Sequence, residues 1–422
     1  MRRLRKTKRV LTESAHLLRP LNLLSGLFLV YPSFSMVTTE DTNLISPLGM
    51  TLAEFTTRCT TNGIGSGKAK AAYKSILCDG RSESLPAKIA TPKIVTRQVD
   101  TGNEGSTIKF VQRLPNPDHR LADRGIDFDD IESVIIPMVG RSGTKTHTLC
   151  VSSQVGCALG CDFCETAQMG LIRSLSASEI VAQWWAARFI EGITIDNIVF
   201  MGMGEPMDNL DEVLKAIECL TDHNGANIPM ASITISTVGR VDGLRRIKEQ
   251  VQVRGWKRLG LALSLNASND EVRSKLMPIN KKWNMQALQD ILLELREVRG
   301  GRKIMIEYVL IPGINDAPEH AQELAEWMKP FAKDPNRTKG KGHGGLLNII
   351  PYNPRRDSPW PAPTEAQTER FVSRLMELGL FVNCRRTKGR DSMAACGQLG
   401  TAEIRKRKLV PMTLNGNVDL ND

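Results

Sequence analysis

No internal repeat runs through the 422 residues, which sets aside solenoids and propellers. No apolar stretch is long enough for a clear membrane span. The best candidate, "LNLLSGLFLVYPSF", is interrupted by Asn22, Ser25 and Gly26. The nine cysteines are odd in number and lack the spacings of a secreted disulfide framework. Three of them cluster, but no second C-x2-C pair exists to complete a common four-thiolate zinc site. What remains is a chain of ordinary composition, 41% apolar and 24% charged. It is long enough for two domains and a sizeable core.

The formal charge is +10. That favours a polyanionic partner, nucleic acid first and a membrane surface second. The N-terminus reads two ways. "MRRLRKTKRV" followed by the apolar stretch has the form of a signal peptide or short anchor. The alternative is a start set too early, with Met36 or Met50 the true start. The second is favoured, because export would place redox-labile thiols in an oxidising compartment. A cytoplasmic protein with no stable membrane association is therefore expected.

Residues 1–46 read as a poorly structured extension. Residues 47–95 read as a small helical unit, with "TLAEFTTRC" and "GKAKAAYKSIL" flanking the turn "NGIGSG". Its lysines suit contact with a nucleic-acid backbone, and equally a plain solvated hairpin. Residues 96–130 read as connecting strands and loops, and 401–422 as a basic tail. Between them, 131–400 alternates strands and amphipathic helices. The strands are "THTLCVSS", "NIVFMG", "SITISTV", "RLGLALSL", "KIMIEYVLI" and "LLNIIPYN". Ser176 or Ser178 and Thr364 read as helix N-caps, and Gly379 as a helix stop. The alternation predicts an α/β fold with a parallel sheet, open or curled into a partial barrel. "KDPNRTKGKGHGG" is a basic insertion before the sixth strand.

Cys157, Cys161 and Cys164 form C-x3-C-x2-C. Three thiolates can bind three irons of a 4Fe-4S cluster and leave the fourth open to a ligand. Zinc and chance burial are the alternatives. Gly204 in "MGMGEP" lets backbone approach a ligand, and Glu205 offers a carboxylate to an ammonium group. Ser236, the run Ser264, Leu265 and Asn266, and Asn353 stand at strand ends. In barrel-like α/β folds, ligands gather at the carboxyl ends of strands. Cys59, Cys78, Cys219 and Cys384 read as buried small residues. Cys396 sits in the small-residue loop "AACGQLG". The preceding Arg385, Arg386, Lys388 and Arg390 suit an RNA phosphate or a solvated charge run.

The cysteine motif, with Phe163 before its third cysteine, resembles the radical S-adenosylmethionine superfamily. "CVSSQVGC", "FMGMGEPMDN", "ITISTVG", "KLMPINK", "IEYVLIPGIND", "IIPYNP" and "AACGQLG" narrow the resemblance to its RlmN/Cfr family of RNA methyltransferases. It covers roughly 130–400, is weaker over 47–95 and is absent before Met36. One position departs: the family's "SLHA" is "SLNA" here, so Asn266 replaces a residue that can titrate.

The resemblance implies a partial (βα)6 barrel of the radical S-adenosylmethionine type. It implies a 4Fe-4S cluster on Cys157, Cys161 and Cys164. S-adenosylmethionine would lie against Gly204, Glu205, Ser236, Ser264, Leu265, Asn266 and Asn353. It implies methylation of an adenosine ring carbon, 2 or 8, in ribosomal RNA, with transfer RNA as a second candidate substrate. In that scheme Cys396 carries the methyl group and a 5′-deoxyadenosyl radical activates it. Glu132 is the proton acceptor, and Cys150 releases the product by a transient disulfide with Cys396. An electron donor and a disulfide reductant are the implied partners of a monomeric enzyme. A radical enzyme on another substrate and a non-catalytic iron–sulfur RNA-binding protein are the competing readings.

Overall fold

The computed structural model describes residues 44–116, 127–140, 142–331, 345–385, 388–389 and 393–400. The extension before residue 44, nearly all of the basic insertion, Arg386, Arg390 and the tail from 401 onward lie outside these residues.

Two helices open the described chain. α1 (Leu52–Thr61) starts with a reciprocal cap, in which Thr51 and Glu54 each bond the other's backbone amide. α2 (Ser66–Leu77) follows a turn in which Gly63 adopts φ +76°. Phe55, Cys59, Ala69, Tyr73 and Ile76 face inward, while Lys68, Lys70 and Lys74 are exposed. The hairpin shares its core with the rest of the molecule. The Trp185 indole donates to the Ile76 carbonyl at 3.0 Å. Asp222 accepts from the Leu52 amide at 2.6 Å and from the Tyr73 hydroxyl at 3.3 Å.

A two-residue pair, β1 (Glu83–Ser84) and β2 (Ala87–Lys88), leads to β3 (Lys93–Gly102), β4 (Gly105–Pro115), β5 (Phe128–Val139) and β6 (Lys145–Cys150). A small hairpin, β7 (Gln154–Gly156) and β8 (Leu171–Ser174), precedes β9 (Asn197–Phe200). Then come β10 (Ile233–Thr237), β11 (Gly260–Ser264), β12 (Met305–Leu310), β13 (Leu346–Pro351) and β14 (Val382–Cys384). Among the described residues, ten strands form one sheet in the order β14-β13-β12-β11-β10-β9-β6-β5-β4-β3. From β6 to β14 every neighbouring pair is parallel. The crossovers carry α3 (Ala177–Trp185), α4 (Leu210–Thr221), α5 (Val241–Gln250), α6 (Asp270–Leu276), α7 (Met285–Val298), α8 (Pro318–Met328) and α9 (Glu365–Glu377). Ser176 caps α3, Thr364 caps α9, and Gly379 follows α9 at φ +86°.

The six expected strands are β6 and β9 to β13, and the sheet curls into the expected partial barrel. The sheet is mixed, however, and not purely parallel. β3, β4 and β5 add an antiparallel meander to the β6 edge. The two-residue turn between Gly102 and Gly105 is the reason, since antiparallel neighbours need only a tight turn. β14 was not expected, because three residues are too few to show a pattern. Phe55 is fully buried where α1 meets α2. Phe55→Ala is expected to lower stability by about 3–5 kcal/mol in chemical denaturation.

Candidate active site

The carboxyl ends of the parallel strands surround one cavity. Cys157, Cys161, Cys164, Gly204, Glu205, Ser236, Ser264, Asn266, Asn353 and Cys396 all line it. Ten residues singled out from the sequence thus meet in one place.

The cysteine loop spans from β7 to β8. The Gly170 carbonyl accepts from the Cys157 amide at 2.9 Å and lies where a side chain on Gly156 would stand, 1.9 Å from an added Cβ. Gly156 also has φ +77°, so the turn that aims Cys157 requires glycine. The other end of the loop docks on α6, where the Asp162 amide donates to the Leu276 carbonyl at 3.0 Å. Phe163 packs there with Met277, Ile311 and Tyr352. Burial raises all three thiols, Cys157 to about 12. At Cys164 the backbone amides of Ala167 and Thr166 oppose that rise. Buried neutral thiols become thiolates when a metal binds them.

Arg273 supports this loop from below. It is fully buried, and its guanidinium donates to the carbonyls of Leu265 and Val238 and to the Asn280 side chain. These bonds tie the ends of β10 and β11 together. Cys161 lies within electrostatic reach of this cation.

Gly204 adopts φ +97°, and an added Cβ would sit 2.5 Å from the Gln154 side chain. Glu205 is 2% exposed. It accepts from the amides of Met207 at 3.1 Å and Val238 at 3.0 Å. Burial raises its carboxyl, against bonds from Thr237 and the two amides. A preoriented carboxylate of this kind suits an ammonium group. Asn266 stands at φ +58°, a left-handed conformation that asparagine tolerates well. Its Oδ1 accepts from the Val309 amide at 3.0 Å, and its Nδ2 meets only the Met277 sulfur, at 3.5 Å. The side-chain amide is thus held between the Val309 backbone and the Met277 sulfur. Leu265 does not line the cavity; it is fully buried and bonds through its backbone.

Cys396 comes from far along the chain. Its loop is bonded to the cysteine loop itself: the Glu165 amide donates to the Gly397 carbonyl at 2.7 Å, and the Thr166 hydroxyl to the Leu399 carbonyl at 2.6 Å. A second cavity adjoins the first and shares Met201, Ile350, Asn353, Arg385, Cys396 and Leu399 with it. Cys150, at the end of β6, lines this second cavity. Burial raises the Cys150 thiol strongly, and the nearby Cys396 raises it further. Cys396 is exposed and Cys150 buried. Glu132, on β5, is 2% exposed and lines neither cavity. Its Oε2 lies 3.6 Å from the Lys109 ammonium and accepts from the Gly400 amide at 3.1 Å.

Other expectations fare differently. Cys59 and Cys219 are buried, but Cys78 and Cys384 are exposed. Cys78 caps the end of α2, and Cys384 lies in edge strand β14. Arg385 and Lys388 are not a free charge run. Arg385 bonds Glu307 at 2.9 Å and Lys388 bonds Glu104 at 2.7 Å. Sequence reasoning missed Glu307, which is buried on β12 and lines the first cavity. One of its oxygens accepts from Asn348 and Arg385. An acidic residue within an apolar strand was the signal that could have found it.

Comparison with known proteins fits this geometry. Residues 151–328 match the model of the Radical SAM superfamily. A probable dual-specificity RNA methyltransferase RlmN 1 of Protochlamydia amoebophila is 37% identical over 82% of this chain and 91% of its own. The dual-specificity RNA methyltransferase RlmN of Lawsonia intracellularis is 41% identical over 75% of this chain and 81% of its own. The chain belongs to the RlmN family of radical SAM RNA methyltransferases. A crystal structure of a radical SAM methyltransferase from Sphaerobacter thermophilus superposes with a TM-score of 0.70 at 31% identity. It covers 84% of this chain and 98% of that one.

The RlmN family implies a 4Fe-4S cluster and S-adenosylmethionine, and the residues fit both. Among the described residues, no group of three His, Cys, Asp or Glu side chains could hold a single metal ion. A four-iron cluster binds one thiolate per iron and spreads its ligands wider than one ion does. Three thiols around a cavity, with the buried Glu205 carboxylate beside them, suit a cluster and an amino-acid moiety. Among the described residues, no helix is long and apolar enough to cross a membrane. Gly156→Ala is expected to cut the iron bound per chain more than tenfold in anaerobically reconstituted protein, because the added Cβ displaces Gly170 and with it Cys157.

Proposed function

We propose that this enzyme methylates an adenosine ring carbon, 2 or 8, in ribosomal RNA and also in transfer RNA, with Cys396 as the methyl carrier. The observation that carries the reading is the placement of Cys396. Two hydrogen bonds fasten its loop to the cysteine loop, and its thiol opens into the cavity that Cys157, Cys161 and Cys164 line. A thiol far away in sequence has no structural need to be there.

Cys157, Cys161 and Cys164 would hold the cluster, and Glu205 would take the ammonium group of S-adenosylmethionine. When bound, cluster and S-adenosylmethionine supply a methyl group, an electron and a 5′-deoxyadenosyl radical. The Cys396 thiol would lose its proton to water, and the thiolate would attack the methyl carbon of S-adenosylmethionine, forming an S–CH3 bond on Cys396 as S-adenosylhomocysteine leaves. That methyl group would lose one hydrogen atom to the 5′-deoxyadenosyl radical, which leaves as 5′-deoxyadenosine. The methylene carbon then bonds to the adenine ring and links enzyme to RNA, and the adduct's unpaired electron would return to the cluster. Glu132, matched to the family's proton acceptor, would take the proton from the substituted ring carbon after exchanging its bond to Gly400 for the substrate. The Cys150 thiolate then attacks the Cys396 sulfur. The sulfur–carbon bond breaks with its electron pair on the carbon, which takes a proton from water to become the product methyl group, and a Cys150–Cys396 disulfide is left. An external dithiol reduces that disulfide, with two electrons and two protons per turnover. The shared cavity of the two cysteines supports this step. Without RNA the Glu132 carboxylate is held by Lys109 and by the Gly400 amide, and it lines neither cavity.

The reading places a monomeric enzyme in the cytoplasm, where thiols stay reduced. Cys396→Ala should abolish methylation of ribosomal RNA, scored by nucleoside mass spectrometry, while iron content stays at the parent level. Cys150→Ala should still form the enzyme–RNA bond but fail to release it, giving a protein-linked RNA band on a denaturing gel. Methylated RNA from Cys396→Ala would sink the methyl-carrier mechanism, whereas unmethylated RNA from the parent enzyme would point to a radical reaction on another substrate.

A further inference from the structure

Lys109 on β4 and Glu132 on β5 form an ion pair that is nearly sealed from solvent, with side chains 6% and 2% exposed. They sit diagonally across neighbouring strands, Lys109 opposite Val134 and Glu132 opposite Val111. Taking both charges out of water is costly, and apolar residues of similar volume would hold two strands at least as well. The need for charge here therefore lies outside the sheet.

The remaining bonds of the pair go to one segment. Lys109 Nζ donates to the Met393 carbonyl at 3.1 Å. The Gly400 amide donates to Glu132 Oε2 at 3.1 Å. Met393 and Gly400 bracket Cys396, so the pair grips both ends of the segment that carries the thiol. At its start this segment is strained: Met393 is a non-glycine residue at φ +52°. Such a conformation persists where surrounding bonds enforce it.

We infer that Lys109 is a positioning residue. With Glu132 it clasps the Met393–Gly400 segment at both ends and so sets where the Cys396 thiol stands in the cavity. The functional meaning rests on the proposed role of Cys396, but the clasp itself does not.

The test is hydrogen–deuterium exchange on the full chain carrying its cluster, read in peptides that cover Met393–Gly400. Lys109→Met keeps the length of the side chain and removes its charge and donor. Exchange in that segment is expected to rise about tenfold, while peptides from α7 and α8 keep the parent rate. Lys109→Arg, which retains charge and donors, should stay within about twofold of the parent. If Lys109→Met does not fold, Glu132→Gln carries the test: its amide can still accept from Gly400 but no longer pairs with Lys109, so exchange should rise at the Met393 end. Parent-like exchange in the soluble variant overturns the clasp, and so does a rise of equal size in α7 and α8. If the parent protein fails to methylate RNA, the proposed function falls while the exchange result stands.

Discussion

Two short hydrogen bonds decide what this molecule can do. The Glu165 amide reaches the Gly397 carbonyl, and the Thr166 hydroxyl reaches the Leu399 carbonyl. The donors belong to the cysteine loop and the acceptors to the loop of Cys396. Without these bonds the chain has a three-thiol cavity and a distant reactive cysteine. With them the two lie in one chamber. The other site features serve that meeting. Gly156 lets the cysteine loop turn, and Arg273 binds the strand ends beneath it. The Lys109–Glu132 pair holds the incoming segment from the far side.

The sheet explains why the chamber exists at all. Parallel strands place all their carboxyl ends on one rim, so residues from many crossovers converge there. The antiparallel meander adds something a purely parallel barrel would lack. It brings Lys109 and Glu132 behind the loop that follows β14, although those strands precede the barrel in sequence.

Much of this was legible in the sequence, for physical reasons. The strands β6 and β9 to β13 are short apolar runs between amphipathic helices, and each run is long enough to declare itself. The caps at Ser176 and Thr364 follow from a side-chain oxygen placed before a helical pattern. The cysteine triplet needed no structure, since its spacing alone restricts the chemistry. What stayed hidden depends on long-range partners. No local pattern says that Glu132 meets Lys109 and Gly400, that Arg385 turns inward to Glu307, or that Cys384 lies at a sheet edge. Arg273 looks like any surface arginine of a short helix until the carbonyls of β10 and β11 are seen around it.

The helical hairpin at the start of the described chain has a mechanical consequence. Its core is continuous with that of the barrel, and the Trp185 indole is bonded to the Ile76 carbonyl. Lys68, Lys70 and Lys74 are therefore mounted on the same packed core as the chamber. Any strand held by those lysines would meet the chamber at a fixed span, as against a ruler and not on a tether. Substrates would then be sorted by the distance between the point of grip and the reacting base.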